Sequence, residues 1–439
     1  MQVCFTNLGC KLNQAELERL ARDFSRAGYR VTRNLASADL HVVNTCTVTH
    51  VAARDSRKLA RRGRRLNPAI RTVLTGCYVA EAEDRAAQAT GADLIVPNRD
   101  KERLLDAVHE AFPDLALSQS AAPTDGPYAP IEFGNARALV KIEDGCNMRC
   151  TFCIIPSTRG MQRSRPPKEI LAETRDLTAA GFREIVLTGV QISSYRWRGT
   201  GLYELLQRLS SEISTGRFRL TSIAPWQFDS RLLDLFQSER LCRHLHLSLQ
   251  SGCTATLERM RRPYTAHAFA ELVDRVRKRV PGIAITTDVI VGFPGETAAE
   301  FEASRDFIRD VRFARVHVFP YSARPGTEAA ELTDPIEPVV KKERVQELLE
   351  LAAESEHAFV DEQLGHPAEV LWEARREGIW HGTTDNYVRV RTRSAADLTR
   401  RLTRSVLAAR RGSAAWTTLP TPATGTAVPV ARERGLHGA

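Results

Sequence analysis

Apolar runs of strand length alternate with amphipathic segments through the first 112 residues. Four runs have the length and composition of buried strands: residues 2–6, 40–43, 72–74 and 94–96. Helical periodicity follows three of them, over residues 13–27, 52–66 and 101–111. This alternation predicts an N-terminal parallel-sheet α/β domain whose ligands gather at the carboxyl ends of the strands.

The same alternation returns between Arg137 and about Lys342. Six further runs are predicted as strands: residues 138–142, 184–188, 219–224, 244–249, 283–291 and 315–319. Six βα units predict a central partial (β/α)6 TIM-like barrel, with its chemistry at the carboxyl ends of the strands.

The remaining pattern is that of a small β-barrel after one long helix. An amphipathic helix over residues 341–363 ends at Gly365, and four short strands follow at residues 368–373, 379–382, 387–391 and 405–408. Pro, Gly and Ser residues concentrated between positions 113 and 130 indicate a linker. The predicted domains are residues 1–112, linker 113–132, core 133–362, C-terminal β-barrel 363–417 and disordered tail 418–439.

Composition favours an anionic partner in a reducing compartment. The net charge of +9 suits a nucleic acid. A basic helix over residues 54–65 either contacts phosphates or is a solvated face, and both readings stay open. The N-terminus lacks the pattern of a signal peptide, and no apolar run approaches 18 residues, so we expect a cytoplasmic protein without membrane contact.

Nine cysteines are an odd number in a large chain, which argues against a disulfide framework and favours metal ligation in a reducing compartment. Cys4 lies within the first strand and is predicted to be core. Cys242 and Cys253 fit no ligand pattern and are predicted to be structural.

Cys146, Cys150 and Cys153 form a C-x3-C-x2-C loop directly after a predicted strand. Thiolates suit zinc and iron–sulfur clusters, but a structural zinc site wants four ligands and this loop has three. Three cysteines on a cubane cluster leave one iron open to a small molecule. Phe152, between the last two cysteines, is either a stacking partner for an adenine or a core residue.

Cys10, Cys46 and Cys77 each follow a predicted strand of the first domain. Because the carboxyl ends of parallel strands meet at one edge, we expect these thiols to form a second three-cysteine cluster site. The alternative is three buried cysteines that pack as small apolar residues.

These motifs resemble one family closely. The run from Lys141 to Gly160 resembles the methylthiotransferases, a subfamily of the radical S-adenosylmethionine (SAM) enzymes. That subfamily has three N-terminal cysteines in the contexts Gly-Cys-x2-Asn, Asn-Thr-Cys-x-Val and Gly-Cys. This chain has Gly9-Cys10-Lys11-Leu12-Asn13, Asn44-Thr45-Cys46-Thr47-Val48 and Gly76-Cys77.

The resemblance implies two 4Fe–4S clusters and SAM as cofactors. Cys146, Cys150 and Cys153 would hold the cluster that cleaves SAM, and the N-terminal triad an auxiliary cluster that carries the sulfur to be donated. One SAM would supply a 5′-deoxyadenosyl radical and a second the methyl group. By family analogy the residues around SAM include Gly189, Gln191, Ser248, Gln250, Gly292 and Gly295, as well as Phe152.

The resemblance also implies an RNA partner. The C-terminal segment resembles the RNA-binding TRAM domain, most clearly over residues 382–390. Sequence cues such as Phe5-Thr6-Asn7-Leu8-Gly9-Cys10 point to the subgroup that modifies N(6)-threonylcarbamoyladenosine beside the anticodon of tRNA, at position 37. Such an enzyme needs the tRNA anticodon loop, a flavodoxin- or ferredoxin-like electron donor and a sulfur source.

Two rivals remain at this point. Within the family, the substrate would be N(6)-isopentenyladenosine in tRNA or a ribosomal protein. In another class, the chain would be a non-catalytic RNA-binding protein with structural metal sites.

Overall fold

A computed structural model describes residues 1–80, 83–116 and 136–418 of the chain. Most of the linker predicted for residues 113–132, and the tail beyond Thr418, lie outside the described residues. In the described part of the chain, no helix is both long and apolar enough to cross a membrane.

The N-terminal domain is a five-stranded parallel sheet with strand order β2-β1-β3-β4-β5. Its strands are β1 (Gln2–Asn7), β2 (Arg30–Thr32), β3 (Leu40–Thr45), β4 (Arg71–Gly76) and β5 (Leu94–Ile95). Its helices are α1 (Lys11–Arg26), α2 (His50–Leu66), α3 (Glu83–Thr90) and α4 (Leu104–Ala111). The order places the carboxyl ends of β1, β3 and β4 side by side.

Apolar burial explains this arrangement. The central strand β3 is buried along its whole length, and Leu40, Val42 and Val43 supply its apolar side chains. Helix α2 begins where Thr49 accepts a hydrogen bond from the Ala52 N–H, and it turns Lys58, Arg62 and Arg65 to solvent. The exposed basic face is compatible with both readings of the 54–65 segment.

The core domain is a set of parallel strands with helices on one face. Strands β6, β9 and β12 form one sheet and β13 to β16 another, and β12 runs into β13. The strands are β6 (Ala138–Lys141), β7 (Glu143–Asp144), β8 (Arg163–Ser164), β9 (Glu184–Thr188), β10 (Arg196–Trp197), β11 (Thr200–Gly201), β12 (Arg217–Leu220), β13 (Ser222–Ile223), β14 (His244–Leu247), β15 (Ala284–Val291) and β16 (Arg315–Pro320). The helices are α5 (Ile155–Arg159), α6 (Pro167–Ala179), α7 (Leu202–Glu212), α8 (Leu232–Leu235), α9 (Thr254–Arg259), α10 (Ala266–Arg279), α11 (Ala298–Val311) and α12 (Pro338–Glu362).

The six predicted core strands are therefore present, with one difference. The run predicted as a single strand over residues 219–224 is two short strands, because pairing is interrupted at Thr221 and moves from β9 to β14. This break lets the strands curve from one sheet into the next, as a partial barrel requires.

The C-terminal domain is a bent six-stranded sheet with order β20-β17-β18-β19-β22-β21. Its strands are β17 (Pro367–Arg376), β18 (Ile379–Thr384), β19 (Arg389–Arg393), β20 (Leu402–Val406), β21 (Ala409–Arg411) and β22 (Ala414–Trp416). Trp372 is fully buried at its centre, beside a β-bulge that bends β17. Strand β19 begins two residues later than predicted, since Tyr387 has φ 70° and leaves the extended conformation.

Several short elements were not predicted from the periodicity, among them β2, α3 and β22. Strand β2 has three half-exposed or exposed residues at the sheet edge, so it shows no apolar run. Helix α3 is short and alanine-rich, with a weak apolar stripe. Strand β22 has three residues and pairs in parallel with β19, a long-range contact that no local pattern signals.

Candidate active site

The N-terminal cysteines lie together, each at the end of a strand of the sheet. Cys10 caps helix α1 after β1, Cys46 follows β3 and Cys77 follows β4. Burial raises the pKa of Cys46 to about 11, and the thiols of Cys77 and Cys10 are near enough to add to that shift. The topology thus brings together three residues that are far apart in the sequence.

Two asparagines of the sequence motifs hold these loops in place. The Asn13 side chain donates to the carbonyls of Leu8 and Thr45, both at 2.9 Å, and so ties the loop before Cys10 to the loop before Cys46. Asn44 returns a hydrogen bond of 2.7 Å to the Asn13 carbonyl. The motif asparagines therefore hold the loops that carry the thiols together.

Two glycines permit the close approach of the loops. Gly9 has φ 114°, and a Cβ there would lie 2.9 Å from the Cβ of Cys46. Gly76 has φ 102°, and a Cβ there would meet the Thr45 carbonyl oxygen at 2.3 Å. Any side chain at either position would separate two of the cysteine loops.

The second triad occupies the loop after β7. The Cys146 N–H donates to the Gly160 carbonyl at 3.1 Å, and the Cys153 N–H donates to the Cys150 carbonyl at 3.0 Å. Burial raises the pKa of Cys153 to about 12, so the free thiol is protonated and a metal must displace its proton.

A stacked arginine faces this triad. Arg262 donates from Nη1 to the Cys150 Sγ at 3.3 Å and from Nη2 to the Ser248 carbonyl at 3.1 Å. Its guanidinium lies 4.5 Å from the Trp226 ring centroid and 5.4 Å from that of Tyr264. A fixed cation beside the sulfur suits thiolate ligands better than neutral thiols.

The spacing of both triads argues against single zinc ions. Sulfur ligands of a tetrahedral zinc lie about 3.8 Å apart. Among the described residues, only the ligand atoms of His246, Asp288 and His317 form a group of three within 4.8 Å of one another. Neither cysteine triad forms such a group, so at least one pair of sulfurs in each triad is more than 4.8 Å apart, and three thiolates match the donor set of the implied clusters.

Helix α5 joins the two triads. It begins two residues after Cys153 and spans about 8 Å. At its far end Asn98 donates to the Thr158 carbonyl at 2.9 Å and lies 3.9 Å from the Cys77 Sγ. The two candidate cluster sites are therefore separated by little more than one short helix.

A buried charge network fastens this helix to the N-terminal domain. Arg159 donates to Glu16 at 2.9 Å and to Asp144 at 2.8 Å. Lys101 and Lys141 reach the same Glu16 carboxylate at 2.7 and 3.2 Å. Burial opposes ionisation of Glu16, but these three cations hold the pKa of its carboxyl well below the usual range.

The network carries three cations and two carboxylates next to the N-terminal thiols. Burial raises the pKa of Cys10, and Arg159 acts against that rise. The excess positive charge therefore favours thiolates at this triad, which is what iron ligation needs.

Four of the predicted SAM-site residues lie around the cysteine loop, at half-buried positions. The Gln191 Oε1 lies 3.9 Å from the Cys146 Sγ. Phe152 packs against the buried apolar cluster of Met260, Phe293 and Ala329. Ser248 lies just after β14, and Gln250, with φ 73°, donates its N–H to the Asp288 carbonyl at 2.8 Å.

The three predicted glycines are placed differently. Gly189 turns its Cα toward Glu143, where a Cβ would lie 2.6 Å from the carboxylate. Gly292 is buried and donates its N–H to Glu296 at 2.9 Å. The Gly295 carbonyl accepts from Arg259 at 3.1 Å. These glycines shape the loops. The Gly292 N–H and the Gly295 carbonyl already have protein partners.

Glu143 supports the Gln191 loop from below. Its Oε2 accepts the Gln191 N–H at 2.9 Å, while its Oε1 is buried and has no hydrogen-bond partner among the described residues. Burial raises the pKa of Glu143 to about 8, so the carboxyl is largely protonated at neutral pH.

We therefore expect Glu143→Gln to remove a pH dependence of stability. The folded protein binds a proton that the unfolded chain, with a pKa near 4.5, releases. Stability from this group is thus complete below pH 4.5 and is lost as pH rises through about 8. Between pH 5 and 7.5 the wild type should lose about 1.4 kcal/mol per pH unit relative to the variant. Thermal unfolding of both anaerobic proteins, with the exposed Glu110→Gln as control, measures it; parallel pH profiles would contradict it.

Sequence reasoning missed the charged partners of both triads. One sequence feature could have indicated that Glu16 is buried: it falls on the apolar face of α1, at helical spacing from Leu12 and Leu20. Arg159 and Glu143 stand within the recognised motif run but had no assigned role. Arg262 had no local signal, since its contact with Cys150 spans 112 residues.

Comparison with known proteins agrees with this geometry. Residues 140–308 match the Radical SAM superfamily, and residues 2–97 match Uncharacterized protein family UPF0004. A protein of Kitasatospora setae, the radical S-adenosylmethionine methyltransferase TsrM, superposes with a TM-score of 0.57 over 75% of this chain and 77% of its own. At 17% identity that similarity shows the fold alone.

Closer relatives share most of the length. The threonylcarbamoyladenosine tRNA methylthiotransferase MtaB of Bacillus subtilis is 37% identical over 90% of this chain and 91% of its own. The tRNA-2-methylthio-N(6)-dimethylallyladenosine synthase of Sphingopyxis alaskensis is 33% identical over 85% of this chain and 87% of its own. With relatives of this similarity over most of its length, the chain belongs to the radical SAM methylthiotransferase family.

Proposed function

We propose that this protein installs a 2-methylthio group on N(6)-threonylcarbamoyladenosine at position 37 of tRNA. The observation that carries the reaction type is the single helix, α5, that separates the two cysteine triads. One triad suits SAM cleavage and the other suits sulfur delivery, and a base between them meets both.

Six cysteines are the ligands in this proposal: Cys10, Cys46 and Cys77 for an auxiliary 4Fe–4S cluster, and Cys146, Cys150 and Cys153 for the SAM-binding 4Fe–4S cluster. The chemistry supplied there is reductive cleavage of one SAM to a 5′-deoxyadenosyl radical and delivery of a sulfur methylated by a second SAM. Radical chemistry is needed because the hydrogen on carbon 2 of adenine is not acidic.

The chain's own residues position the reactants. Gln191, Ser248 and Gln250 offer polar groups to SAM at the carboxyl ends of the core strands, and Phe152 offers an apolar surface. Arg262 and Arg159 place a positive charge beside each set of thiolates. The target base must leave its stack to enter the space between the triads.

Support for the substrate comes from relatives. MtaB proteins of Bacillus subtilis, Aquifex aeolicus, Thermotoga maritima and Chlamydia pneumoniae match at 33 to 37% identity. The net charge of +9 and the exposed cations of α2 suit the phosphates of tRNA. The C-terminal sheet is then an RNA-binding domain, and the protein needs a flavodoxin- or ferredoxin-like electron donor and a sulfur source.

Mass spectrometry of tRNA nucleosides from a deletion strain tests the substrate. We expect 2-methylthio-N(6)-threonylcarbamoyladenosine to disappear and its unthiolated precursor to accumulate, with restoration by the plasmid-borne gene. Loss of the 2-methylthio form of isopentenyladenosine, with the threonylcarbamoyl nucleoside unchanged, would refute this substrate and support the rival within the family.

A further inference from the structure

One inner wall of the core barrel carries ionisable side chains that have no role in the proposed iron–sulfur chemistry. We call His246, Asp288 and His317 the inner-wall cluster; they stand on β14, β15 and β16. Asp288 and His317 are register partners in neighbouring strands. The His246 Nε2 lies 3.1 Å from the Asp288 Oδ2, and the two histidine rings are 5.9 Å apart.

Hydrogen bonds fix the orientation of the inner-wall cluster, and two of its side chains are accessible to a ligand. The Thr286 hydroxyl lies 3.0 Å from the His246 Nδ1, so both nitrogens of that ring are engaged. Strand alternation sends neighbours such as Leu245 and Leu247 to the apolar core on the other face. The side chain of Asp288 is 30% exposed and His317 is exposed, so a ligand can reach both.

Lys11 joins this wall from the N-terminal domain. It directly follows Cys10, and its Nζ lies 5.6 Å from the ring centroid of Tyr387, which closes the same side of the barrel. The Tyr387 ring in turn lies 4.6 Å from that of His244 at the start of β14. Lys11 is exposed and near enough to Asp288 and His317 to influence the pKa of both.

A divalent cation fits this place less well than an anion with polar groups. Three ligand atoms within 4.8 Å would suit a metal, but the His246 Nε2 is already paired with Asp288. The Lys11 ammonium would repel a metal ion and attract a carboxylate. The carboxylate of Asp288 already has a hydrogen-bond partner in His246, and Lys11 is an exposed cation beside these hydrogen-bonding groups.

We propose that Lys11 and the inner-wall cluster form the subsite for the N6 substituent of the target adenosine. Lys11 binds the carboxylate of the threonylcarbamoyl group, and His317 and Asp288 bind its hydroxyl and urea groups. This subsite rests on the proposed function. An apolar isopentenyl group would strip water from these charged groups without replacing their hydrogen bonds, so the wall selects against it.

Binding of anticodon stem-loop RNA to the holoprotein tests the subsite without turnover. Fluorescence anisotropy compares three RNAs: one with the threonylcarbamoyl group, one with its neutral carboxamide analogue and one with unmodified adenosine at position 37. We expect Lys11→Met to weaken binding of the first RNA about 10- to 100-fold, the effect of one lost charge-assisted hydrogen bond, and to leave the other two unchanged. His317→Gln should weaken the first RNA about 2- to 10-fold.

The controls separate local from general effects. Lys342→Met and His267→Ala change exposed residues of the same types outside the barrel and should leave all three affinities unchanged. Iron content and cluster EPR signals of Lys11→Met should match wild type. If that variant loses iron, the subsite is tested by the RNA affinity of His317→Gln alone. His317 is remote in sequence from every candidate cluster cysteine.

The outcomes distinguish the two proposals. Equal affinity of wild type for the carboxylate and carboxamide RNAs would overturn the subsite even if the deletion strain lacks the expected nucleoside. A deletion strain with unchanged nucleosides would overturn the function itself. A stoichiometric extra metal that His317→Gln removes would show that the cluster is a metal site and refute the subsite.

Discussion

Cys77→Ala is expected to abolish methylthio transfer and to leave reductive cleavage of SAM intact. In the proposed assignment Cys77 belongs to the N-terminal triad, so the variant loses the sulfur-carrying cluster and keeps the one held by the loop at Cys146. Iron should fall from about eight to about four atoms per chain. Anaerobic assays with dithionite measure 5′-deoxyadenosine and methylthiolated RNA separately.

Two further cysteine variants serve as controls for Cys77→Ala. Cys150→Ala should lose both products, because SAM itself then has no binding iron. Cys253→Ala changes a half-buried cysteine outside both triads and should retain both. Full iron content and normal methylthio transfer in Cys77→Ala would show that Cys77 is not a ligand and would remove the basis for a second cluster.

Glu16→Ala is expected to be the most destabilising single substitution of a charged residue in the N-terminal domain. The change leaves Arg159 and Lys101 buried without the carboxylate that they share. Breaking a buried pair from one side costs about 3 to 5 kcal/mol. Glu16 also joins α1 to α5, so we expect the auxiliary cluster to be lost together with the domain contact. Thermal unfolding and iron analysis of the purified protein measure both.

A nearby surface pair provides the control. Glu102 lies 3.6 Å from Arg19 with its side chain 64% exposed, and Glu102→Ala should cost about 0 to 1 kcal/mol. The low pKa of Glu16 adds a pH signature: its contribution is complete above its unfolded pKa near 4.5 and is lost as pH falls below that value. Equal unfolding temperatures for the two variants would show that the buried network adds no net stability.

The position of each cysteine after a strand was predictable because its determinants are local. A strand followed by a tight glycine turn delivers its last residue to the sheet edge, as at Gly76 and Cys77, and parallel topology collects such ends. The same reasoning placed Gln191, Ser248 and Gln250 at strand ends beside the Cys146 loop. Short edge elements such as β2 were missed, because three partly or fully exposed residues are too few to show a hydrophobic periodicity.

Charged partners were not predictable for a different physical reason. Glu16 meets Arg159 across 143 residues, and Arg262 meets Cys150 across 112. Such pairs depend on how separately patterned elements pack, and nothing in the local sequence of one residue specifies its partner. The inner-wall cluster and Lys11 are of the same kind, since together they join side chains from three strands and one helix of another domain.

The sequence by itself determined the order of strands and helices, the two sets of three cysteines and the chemistry that thiolates at those spacings support. Hydrophobic periodicity and cysteine spacing are local properties, and they can be recognised in the sequence without the packed structure. Only the tertiary structure decided that α5 bridges the two triads, that Arg159 and Arg262 supply their charge, and that Lys11 reaches the wall of the core barrel. Arg159 has its partners because packing buries it in an interior where a charge must be paired, whereas the exposed Lys11 reaches the wall because of how the separate elements pack.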